Sequence, residues 1–239
     1  MTRIWFILMI LMALPTIIGA VEFSVLYDCS VPPAQSLPPW DIIGRCNYQL
    51  NVNAGILHTV DPDQCSWVLL ERPDPRVGQD GYVSIEARVM VPTGGGYTAS
   101  PQIAFTGLDP GLPYDNRAHM WYAVDLYPTG IGFTKVDNDK PEGRDFGFYP
   151  ISDLNSTFHT IKLQKHEERG VRDFAVFVDG VAVFAVTNDV DPRPITAVDI
   201  GYGLEVAAGD SYWDYVRYWS ESPIAVQSTT WGSIKSLYR

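Results

Sequence analysis

The sequence predicts an all-β fold, a two-sheet antiparallel β-sandwich of the jelly-roll type. Short β-branched and aromatic runs recur along the chain with turn signals between them. No stretch before residue 220 repeats its apolar residues at helical spacing. The segment 158–186 reads as three consecutive antiparallel strands. Because such a meander cannot bury its apolar face alone, we expect the rest of the chain to provide a facing sheet.

The second hairpin of this meander is the strongest local signal in the chain. Its two apolar runs, AVFV and VAVFAV, are joined by Asp179 and Gly180, which accept the positive φ angles of a two-residue type I′ turn. The first strand alternates apolar Ile161 and Leu163 with polar residues, and the charged run around Gly170 turns the chain back. These features predict two successive hairpins.

Further segments with strand character lie on both sides of the meander. The clearest is 82–91, where alternate residues are apolar and the intervening residues are mostly polar. The other predicted strands are 48–50, 56–58, 66–71, 102–106, 119–127, 131–135, 197–202 and 211–219. The stretch 137–145 reads as a loop.

Length and composition predict one domain. The 239 residues, with 46% apolar and 13% aromatic content, are enough to fill the core of one large sandwich. We expect a signal peptide at 1–20, an extended proline-rich arm at 21–39, the sandwich at 40–219 and a C-terminal tail at 220–239. We also expect the protein to be a monomer.

The N-terminus has the layout of a secretory signal peptide. Arg3 is followed by an apolar run at 4–14, a breaker at Pro15 and small residues at Gly19 and Ala20. The apolar run is short for a membrane span, and an uncleaved N-terminal anchor is the alternative. We therefore expect a secreted, periplasmic or cell-surface protein with no other membrane contact.

The charge balance argues against nucleic acid as a partner. Cleavage after Ala20 removes Arg3 and leaves 16 basic and 28 acidic residues, a net charge of −12 with His neutral. Such an acidic surface repels phosphate backbones and other anionic polymers. It suits neutral ligands or metal cations.

Three cysteines allow one disulfide in an oxidising compartment. We prefer Cys46 with Cys65, because 48–50 and 56–58 look like neighbouring strands between them. The alternative, Cys29 with Cys46, would tie the N-terminal arm to the sandwich.

Three motifs occur in a recognisable order: FHT at 158–160, FVDG at 177–180 and YWDYVR at 212–217. Together, over residues 81–219, they resemble the concanavalin A-like lectin/glucanase superfamily, with laminin-G-like domains and laminarinase-type glycoside hydrolases as the nearest shapes. The resemblance implies a curved sheet whose concave face meets a glycan. It implies no particular activity, because fold alone does not determine function.

Two departures from that superfamily argue against catalysis. Laminarinase-type enzymes carry paired glutamates as E-x-D-x-x-E on one strand, and this sequence contains no such stretch. Two carboxyl groups must flank the glycosidic bond, about 5 Å apart in retaining enzymes. Alginate lyases of the superfamily place a His after Gln-Ile, whereas Gln102-Ile103 is followed here by Ala104. We therefore expect a lectin-like, non-catalytic carbohydrate-binding module.

The polar face of the strand 119–127 is the candidate binding surface. Aromatic side chains there are suited to stacking on sugar rings, and the imidazole and carboxylate to hydrogen bonding with hydroxyls. The alternative is that the aromatic residues only cover the sheet. The predicted ligand-binding set is His119, Trp121, Asp125, Tyr127, Glu86, Arg88 and Gln102.

A second hypothesis is a polysaccharide hydrolase or lyase with an unusual site, and a third is an adhesion or scaffold domain that binds a protein. For catalysis, Arg88 would hold the Glu86 carboxylate and His119 would act as base. An ordinary surface ion pair explains Glu86 and Arg88 equally well.

Calcium is a possible cofactor, since acidic loop residues offer the oxygen ligands that it prefers. The candidate ligands are Asp137, Asp139 and Glu142, and the alternative is a solvated acidic turn. The spacing does not match an EF-hand loop. Asn155 begins a formal N-glycosylation sequon, which matters only in a host that glycosylates.

Overall fold

The computed structural model describes residues 23–45, 47–62, 67–93, 100–108, 118–137, 140–202 and 209–221. These residues form strands, turns and two short 3₁₀ helices, Pro33–Gln35 and Pro75–Gly78, with no α-helix among them. This part of the chain therefore contains no helix that could span a bilayer.

The strands form two antiparallel sheets, which confirms the predicted β-sandwich. We call the larger, eight-stranded one the back sheet, with the order β13-β12-β11-β6-β15-β4-β3 and β1 paired to β15. Its strands are β1 Ser24–Tyr27, β3 Gln49–Asn53, β4 Ile56–Asp61, β6 Gly81–Thr93, β11 His159–Glu168, β12 Val171–Val178, β13 Val181–Val190 and β15 Gly209–Glu221.

We call the seven-stranded one the front sheet, with the order β10-β9-β8-β7-β14-β5-β2. Its strands are β2 Asp41–Arg45, β5 Trp67–Pro73, β7 Pro101–Leu108, β8 Ala118–Tyr127, β9 Gly130–Asp137, β10 Lys140–Pro150 and β14 Ala197–Tyr202.

The predicted meander is β11-β12-β13 at one edge of the back sheet. Asp179 and Gly180 have φ angles of 48° and 81°, the left-handed values that a type I′ turn requires. Arg169 and Gly170 repeat this geometry between β11 and β12, with φ angles of 53° and 79°. The turn residues therefore set the register that places the apolar side chains inside.

The core lies between the two sheets and is built from alternate residues of each strand. Residues on one face of β6, from Val83 to Val91, are at most 2% exposed. Burying each such aliphatic side chain stabilises the fold by roughly 1.5–3 kcal/mol. The largest apolar and aromatic side chains that are fully buried are Trp213, Tyr27, Tyr122, Tyr218, Phe105, Phe133, Phe174, Leu57 and Leu70.

The prediction of a loop at 137–145 is wrong. Strand β10 begins at Lys140 and pairs with β9, although the pairing shifts register between Lys140 and Arg144 and again between Asp145 and Gly147. Glycine and proline in this stretch indicated a loop, but the strand accommodates them at these irregularities. Two other strands, β1 and β2, were not predicted either.

The segment predicted as an extended arm contributes strand β1, which pairs with β15. Val25 and Tyr27 of this strand and the preceding Phe23 are buried, so this part of the arm belongs to the sandwich core.

Of the three cysteines, the structure describes Cys29, which is buried and free. The alternative disulfide with Cys46 is therefore not formed. Cys46 and Cys65 lie outside the described residues, so their pairing stays a prediction. The hairpin expected between them is present, with Asn53 paired to Ile56 across the turn from β3 to β4.

A buried ionic network ties the two sheets together at one end. Lys135 on β9 donates to Asp189 on β13 at 2.8 Å and lies 3.1 Å from Asp191. Arg193 donates to both oxygens of Asp137, at 2.8 and 2.6 Å, and also to Asp191. Burial alone would raise the pKa of Asp191, but hydrogen bonds from Arg193 and Lys135 outweigh it and lower that pKa far below its usual value.

Candidate functional site

The outer face of the front sheet, the side turned away from the back sheet, carries the candidate site. Residues such as Ile103 and Tyr122 face the main core, whereas Ala104 and Ala123 belong to a separate cluster on the opposite face. One row of paired residues crosses the whole face. It consists of Asp41, Glu71, Asp199, Ala104, Ala123, Thr134 and Asp145. Small side chains thus lie in the middle of the row, and carboxylates lie toward both ends.

The neighbouring row places polar and aromatic groups side by side. Gln102 is paired directly with Asp125 across β7 and β8. Asp125 is paired with Gly132, and Gly132 with Phe148, so all four share this face. Gln102 is 6% exposed and Asp125 is partly exposed. The row therefore offers an amide and a carboxyl next to an aromatic ring.

Asp125 has an unusual protonation state for an aspartate. Its burial raises the pKa to about 7, helped by the negative charge of Asp145 and opposed by a hydrogen bond from Thr134. The Thr134 Oγ1 hydroxyl donates to Asp125 Oδ2 at 2.9 Å. Near neutral pH the carboxyl is thus divided between its protonated and ionised forms, and it can donate as well as accept a hydrogen bond.

An aromatic pair borders this polar group. The rings of Tyr127 and Phe148 lie 5.8 Å apart between centroids, tilted by 51°. Phe148 is 50% exposed and Tyr127 partly exposed. Gly132 lies beneath, where an added Cβ would be 3.4 Å from Tyr127 Cε2. A glycine at this position lets the tyrosine ring lie over β9 toward Phe148.

Trp121, expected to stack on sugar, packs on the sheet instead. It is only 7% exposed and contacts Ala104, Ala123 and Val136. The alternative reading, in which this aromatic residue covers the sheet, is the one the structure supports. Tyr127, six residues further along the same strand face, is partly exposed and remains available for stacking.

Several solved structures are similar to this chain in their fold. An endo-1,3-β-glucanase from Streptomyces sioyaensis matches 84% of this chain and 97% of its own at 17% identity, with a TM-score of 0.55. The κ-carrageenase from Pseudoalteromonas carrageenovora, in complex with an oligotetrasaccharide of κ-carrageenan, matches 87% and 99% at 16% identity, with a TM-score of 0.52. The alginate lyase Aly36B matches 82% and 96% at 11% identity, with a TM-score of 0.51.

The fold is the concanavalin A-like jelly roll. At these identities the likeness shows the fold and not the activity. No protein-family model matches the chain, and no curated protein matches it in sequence.

In this concanavalin A-like sandwich the central strand β8 lacks paired catalytic carboxylates. Its outer-facing residues from Trp121 onward are Ala123, Asp125 and Tyr127, so Asp125 is the one carboxyl among them. Glycosidic hydrolysis normally requires two carboxyl groups on either side of the bond. The outer-facing Ala104 on β7 likewise offers no proton acceptor.

The expectation that Glu86 and Arg88 join β8 at one site is wrong. Both lie on β6, which pairs with β11 and β15 in the back sheet. Their side chains therefore project from the opposite side of the concanavalin A-like sandwich, away from Asp125. The sequence correctly predicted that Glu86 and Arg88 face outward from their strand, but it did not predict that this strand belongs to the other sheet.

On the back sheet, Glu86 and Arg88 have other partners. Glu86 accepts hydrogen bonds from Tyr215 Oη at 2.8 Å and Arg217 Nε at 2.9 Å. Arg88 donates to Asp214 rather than to Glu86. The suggested catalytic group of Glu86, Arg88 and His119 is therefore not assembled, since His119 belongs to β8 in the front sheet and its side chain lies outside the described residues.

Of the three candidate calcium ligands, the structure describes the side chain of Asp137 alone. Both carboxylate oxygens of Asp137 accept from Arg193, as described above. Asp139 and the side chain of Glu142 lie outside the described residues, so calcium binding by this segment stays a prediction. Within the described ranges, no group of three or more His, Cys, Asp or Glu side chains is placed to hold a metal ion.

Sequence reasoning missed Phe148, Thr134 and the row of carboxylates. Phe148 follows the stretch read as a loop, although the alternation of Phe146 and Phe148 with glycine was a usable strand signal. Glu71 and Asp199 are distant in sequence, and only the pairing of β5 with β14 brings them together.

Proposed function

We propose that this protein is an exported, non-catalytic module that binds a polysaccharide on the outer face of the front sheet. The binding set consists of Gln102, Asp125, Tyr127 and Phe148. The observation that carries the proposal is the accessible Tyr127–Phe148 ring pair beside an amide and a carboxyl in one row of the sheet. The similar solved structures named above include a glucanase, a carrageenase and an alginate lyase, which supports a polysaccharide as the ligand.

The chemistry of this binding set suits a sugar. The apolar faces of pyranose rings pack on exposed aromatic side chains, and a few fixed polar groups orient the hydroxyls. Asp125 is able to donate or accept near neutral pH, and Gln102 offers two amide donors and a carbonyl acceptor. One side of a sugar chain would thus contact rings while its hydroxyls bond to the polar pair.

Affinity electrophoresis through polysaccharide-containing gels, together with a glycan array, tests this proposal. We expect Phe148→Ala to weaken binding by about tenfold, the effect of losing roughly 1.4 kcal/mol of stacking. Tyr149→Ala is the matched control. Tyr149 is the next residue and is itself 37% exposed, but it has the opposite strand parity to Phe148. Equal effects of the two substitutions, or no retention of the wild type by any glycan, would refute the site.

A second candidate function is polysaccharide cleavage with Asp125 as the proton donor. The raised pKa of Asp125 favours it, since a general acid must hold its proton near the working pH. Asp145, whose charge contributes to that pKa, would be the second carboxyl. Release of reducing ends by the wild type and its loss in Asp125→Asn would establish this function. If the wild type binds glycan but releases no reducing ends, the binding module stands.

The proposal also places the protein outside the cytoplasm. Its support is the N-terminal pattern of one early basic residue, an apolar run and small residues before position 21. N-terminal sequencing of the mature protein tests this placement, and a chain beginning at Val21 is the expected result.

A further inference from the structure

An arginine in the core between the sheets has hydrogen-bond donors without an acceptor. Arg72 on β5 is paired with the core residue Val198 and is 3% exposed. Its Cζ atom lies 4.9 Å from the ring centroid of Trp40 and 6.0 Å from that of Tyr218. The guanidinium Nε and Nη2 atoms are buried there and have no hydrogen-bond partner. Because nearly all buried polar groups in proteins have a partner, these two donors require an explanation.

A further donor of this kind belongs to the indole on which the guanidinium packs. Trp40 is 2% exposed, and its Nε1–H group is also buried without a hydrogen-bond partner. The indole of Trp213 is equally buried, but it donates from Nε1 to Ser211 Oγ at 2.8 Å. Two side chains in contact, Arg72 and Trp40, thus leave three donor nitrogen atoms without an acceptor in one part of the core.

The carboxylate of this part of the core is engaged by other groups. Asp74 accepts from Arg76 Nε at 2.8 Å through one oxygen and from Arg76 Nη2 at 2.6 Å through the other, which also accepts from Tyr218 Oη at 3.1 Å. Burial raises the pKa of Tyr218, so this phenol is neutral. Among the described charged groups that act on Arg72, one carboxylate therefore serves two guanidinium groups, and one positive charge is left over.

We infer that a small monovalent anion of the halide class binds inside the core, held by the Arg72 guanidinium and the indole N–H of Trp40. Arginine stays protonated in proteins, and a buried charge needs a partner of opposite sign. Attraction to the faces of two aromatic rings offsets only part of the cost of burying an ion. Water would accept the hydrogen bonds but would leave the charge uncompensated. A halide accepts charge-assisted N–H hydrogen bonds and supplies one negative charge.

Crystals grown in sodium bromide test this site directly. We expect an anomalous peak at the bromine absorption edge within hydrogen-bonding distance of Arg72 Nε or Nη2. Urea unfolding in sodium bromide and in sodium gluconate, at equal ionic strength, tests it in solution, because gluconate is too large for a closed core. An anion that binds the folded state alone stabilises it, so the wild-type midpoint should be higher in bromide. Each tenfold increase in bromide above its dissociation constant should make unfolding about tenfold less favourable.

Trp40→Phe and Trp213→Phe form a matched pair of variants. Each replaces a buried indole, but the lost N–H has no protein partner in Trp40 and bonds to Ser211 in Trp213. We expect Trp40→Phe to weaken bromide binding by about tenfold, the effect of losing one hydrogen bond to a charged group. Trp213→Phe should keep the bromide dependence of the wild type. In Arg72→Met, which retains much of the side-chain length without the charge, the bromide dependence should disappear.

The outcomes against the inference are distinct. No anomalous peak at Arg72, together with equal wild-type midpoints in the two salts, would overturn it and leave water as the partner of these donors. A peak without a difference in midpoints would be binding at crystal concentration only and would also overturn it. Equal losses of bromide dependence in Trp40→Phe and Trp213→Phe would show that the effect does not arise at this site. If Arg72→Met does not fold, the wild-type measurements and the tryptophan pair decide the matter.

Discussion

The Thr134 hydroxyl on β9 donates a 2.9 Å hydrogen bond to the Asp125 carboxylate on β8. This bond favours the ionised form of Asp125, yet burial and the charge of Asp145 outweigh it and raise the pKa to about 7. The outer face of the front sheet therefore carries a carboxyl group whose ionised form is energetically unfavourable in the folded state. That condition has a direct consequence for stability.

Asp125→Asn should make the protein less sensitive to alkaline pH. The folded-state pKa of Asp125, about 7, exceeds the unfolded value of about 3.9, so the stability linked to its proton is fully present below pH 4. That stability is lost as pH rises through 7. Between pH 5 and pH 8 the wild type should lose about 1 to 3 kcal/mol relative to Asp125→Asn.

Urea unfolding of both proteins at pH 5 and pH 8 measures this difference. Asp80→Asn, which alters an exposed carboxylate just before β6, should follow the wild type at both pH values. Parallel loss of stability in the wild type and Asp125→Asn would contradict the raised pKa.

Substitutions at Gly132 should control the Tyr127 ring. A Cβ here would be in ordinary contact with Tyr127 Cε2, at 3.4 Å, so Gly132→Ala should cost little binding. The extra methyl groups of Gly132→Val have no room beneath the ring and should displace it. We expect Gly132→Val to lose about as much polysaccharide affinity as Tyr127→Ala, about tenfold.

Affinity electrophoresis of the graded series, glycine, alanine and valine, measures this effect. Near-UV circular dichroism serves as the control that the core aromatic residues keep their packing. Wild-type affinity in Gly132→Val would show that the ring position does not matter for the ligand.

The fold was predictable because its signals are local. The Asp179-Gly180 turn and the alternation along β6 are read from a few adjacent residues, and both were confirmed. The resemblance of three short motifs to the concanavalin A-like superfamily was also confirmed at the level of fold.

The composition of the site was only partly predictable, because it depends on which strands share a sheet. Glu86 and Asp125 both occupy outward positions, and strand periodicity alone does not tell one outer face from the other. The directly paired Gln102 and Asp125 were both named, since their strands are neighbours along the chain. Strand β10, which carries Phe148, was not predicted because its glycines and prolines are typical of a loop.

Burial is the second property that local pattern does not provide. Trp121 and Tyr127 alternate on one strand face and look equivalent in sequence. In the structure, Trp121 lies on two alanines and is nearly covered, while Tyr127 lies over Gly132 and stays accessible. The sizes of residues on the neighbouring strands decide between the two outcomes.

Arg193→Met should destabilise the sandwich strongly. Arg193 pairs with Asp137 and Asp191, whose side chains are 8% and 5% exposed, and its loss removes the guanidinium that both buried carboxylates share. We expect a loss of about 3 kcal/mol at pH 7, the lower end of the range for breaking buried ion pairs. Arg193→Lys should recover part of this, because one ammonium cannot reproduce the forked contacts.

The same network should make the wild type sensitive to acid. Since the folded-state pKa of Asp191 lies below the unfolded value of about 3.9, the stability from its ionised form is present above that value and is lost as pH falls below it. Urea midpoints at pH 7 and pH 3 should therefore differ more in the wild type than in Arg193→Met. Equal midpoints of the two proteins at pH 7 would show that the network contributes no stability.

Glu86→Gln should separate stability from binding. On the back sheet Glu86 accepts from Tyr215 and Arg217, so its neutralisation removes a charge-assisted contact and should cost about 1 to 2 kcal/mol in urea unfolding. Its side chain projects away from the candidate binding face, and polysaccharide affinity should stay within about twofold of the wild type, which corresponds to roughly 0.4 kcal/mol. Asp125→Asn, measured in the same gels, shows the behaviour expected of a residue at the site. A loss of affinity in Glu86→Gln that matched the loss in Phe148→Ala would move the binding surface to the back sheet, because the two residues lie on opposite outer faces of the sandwich.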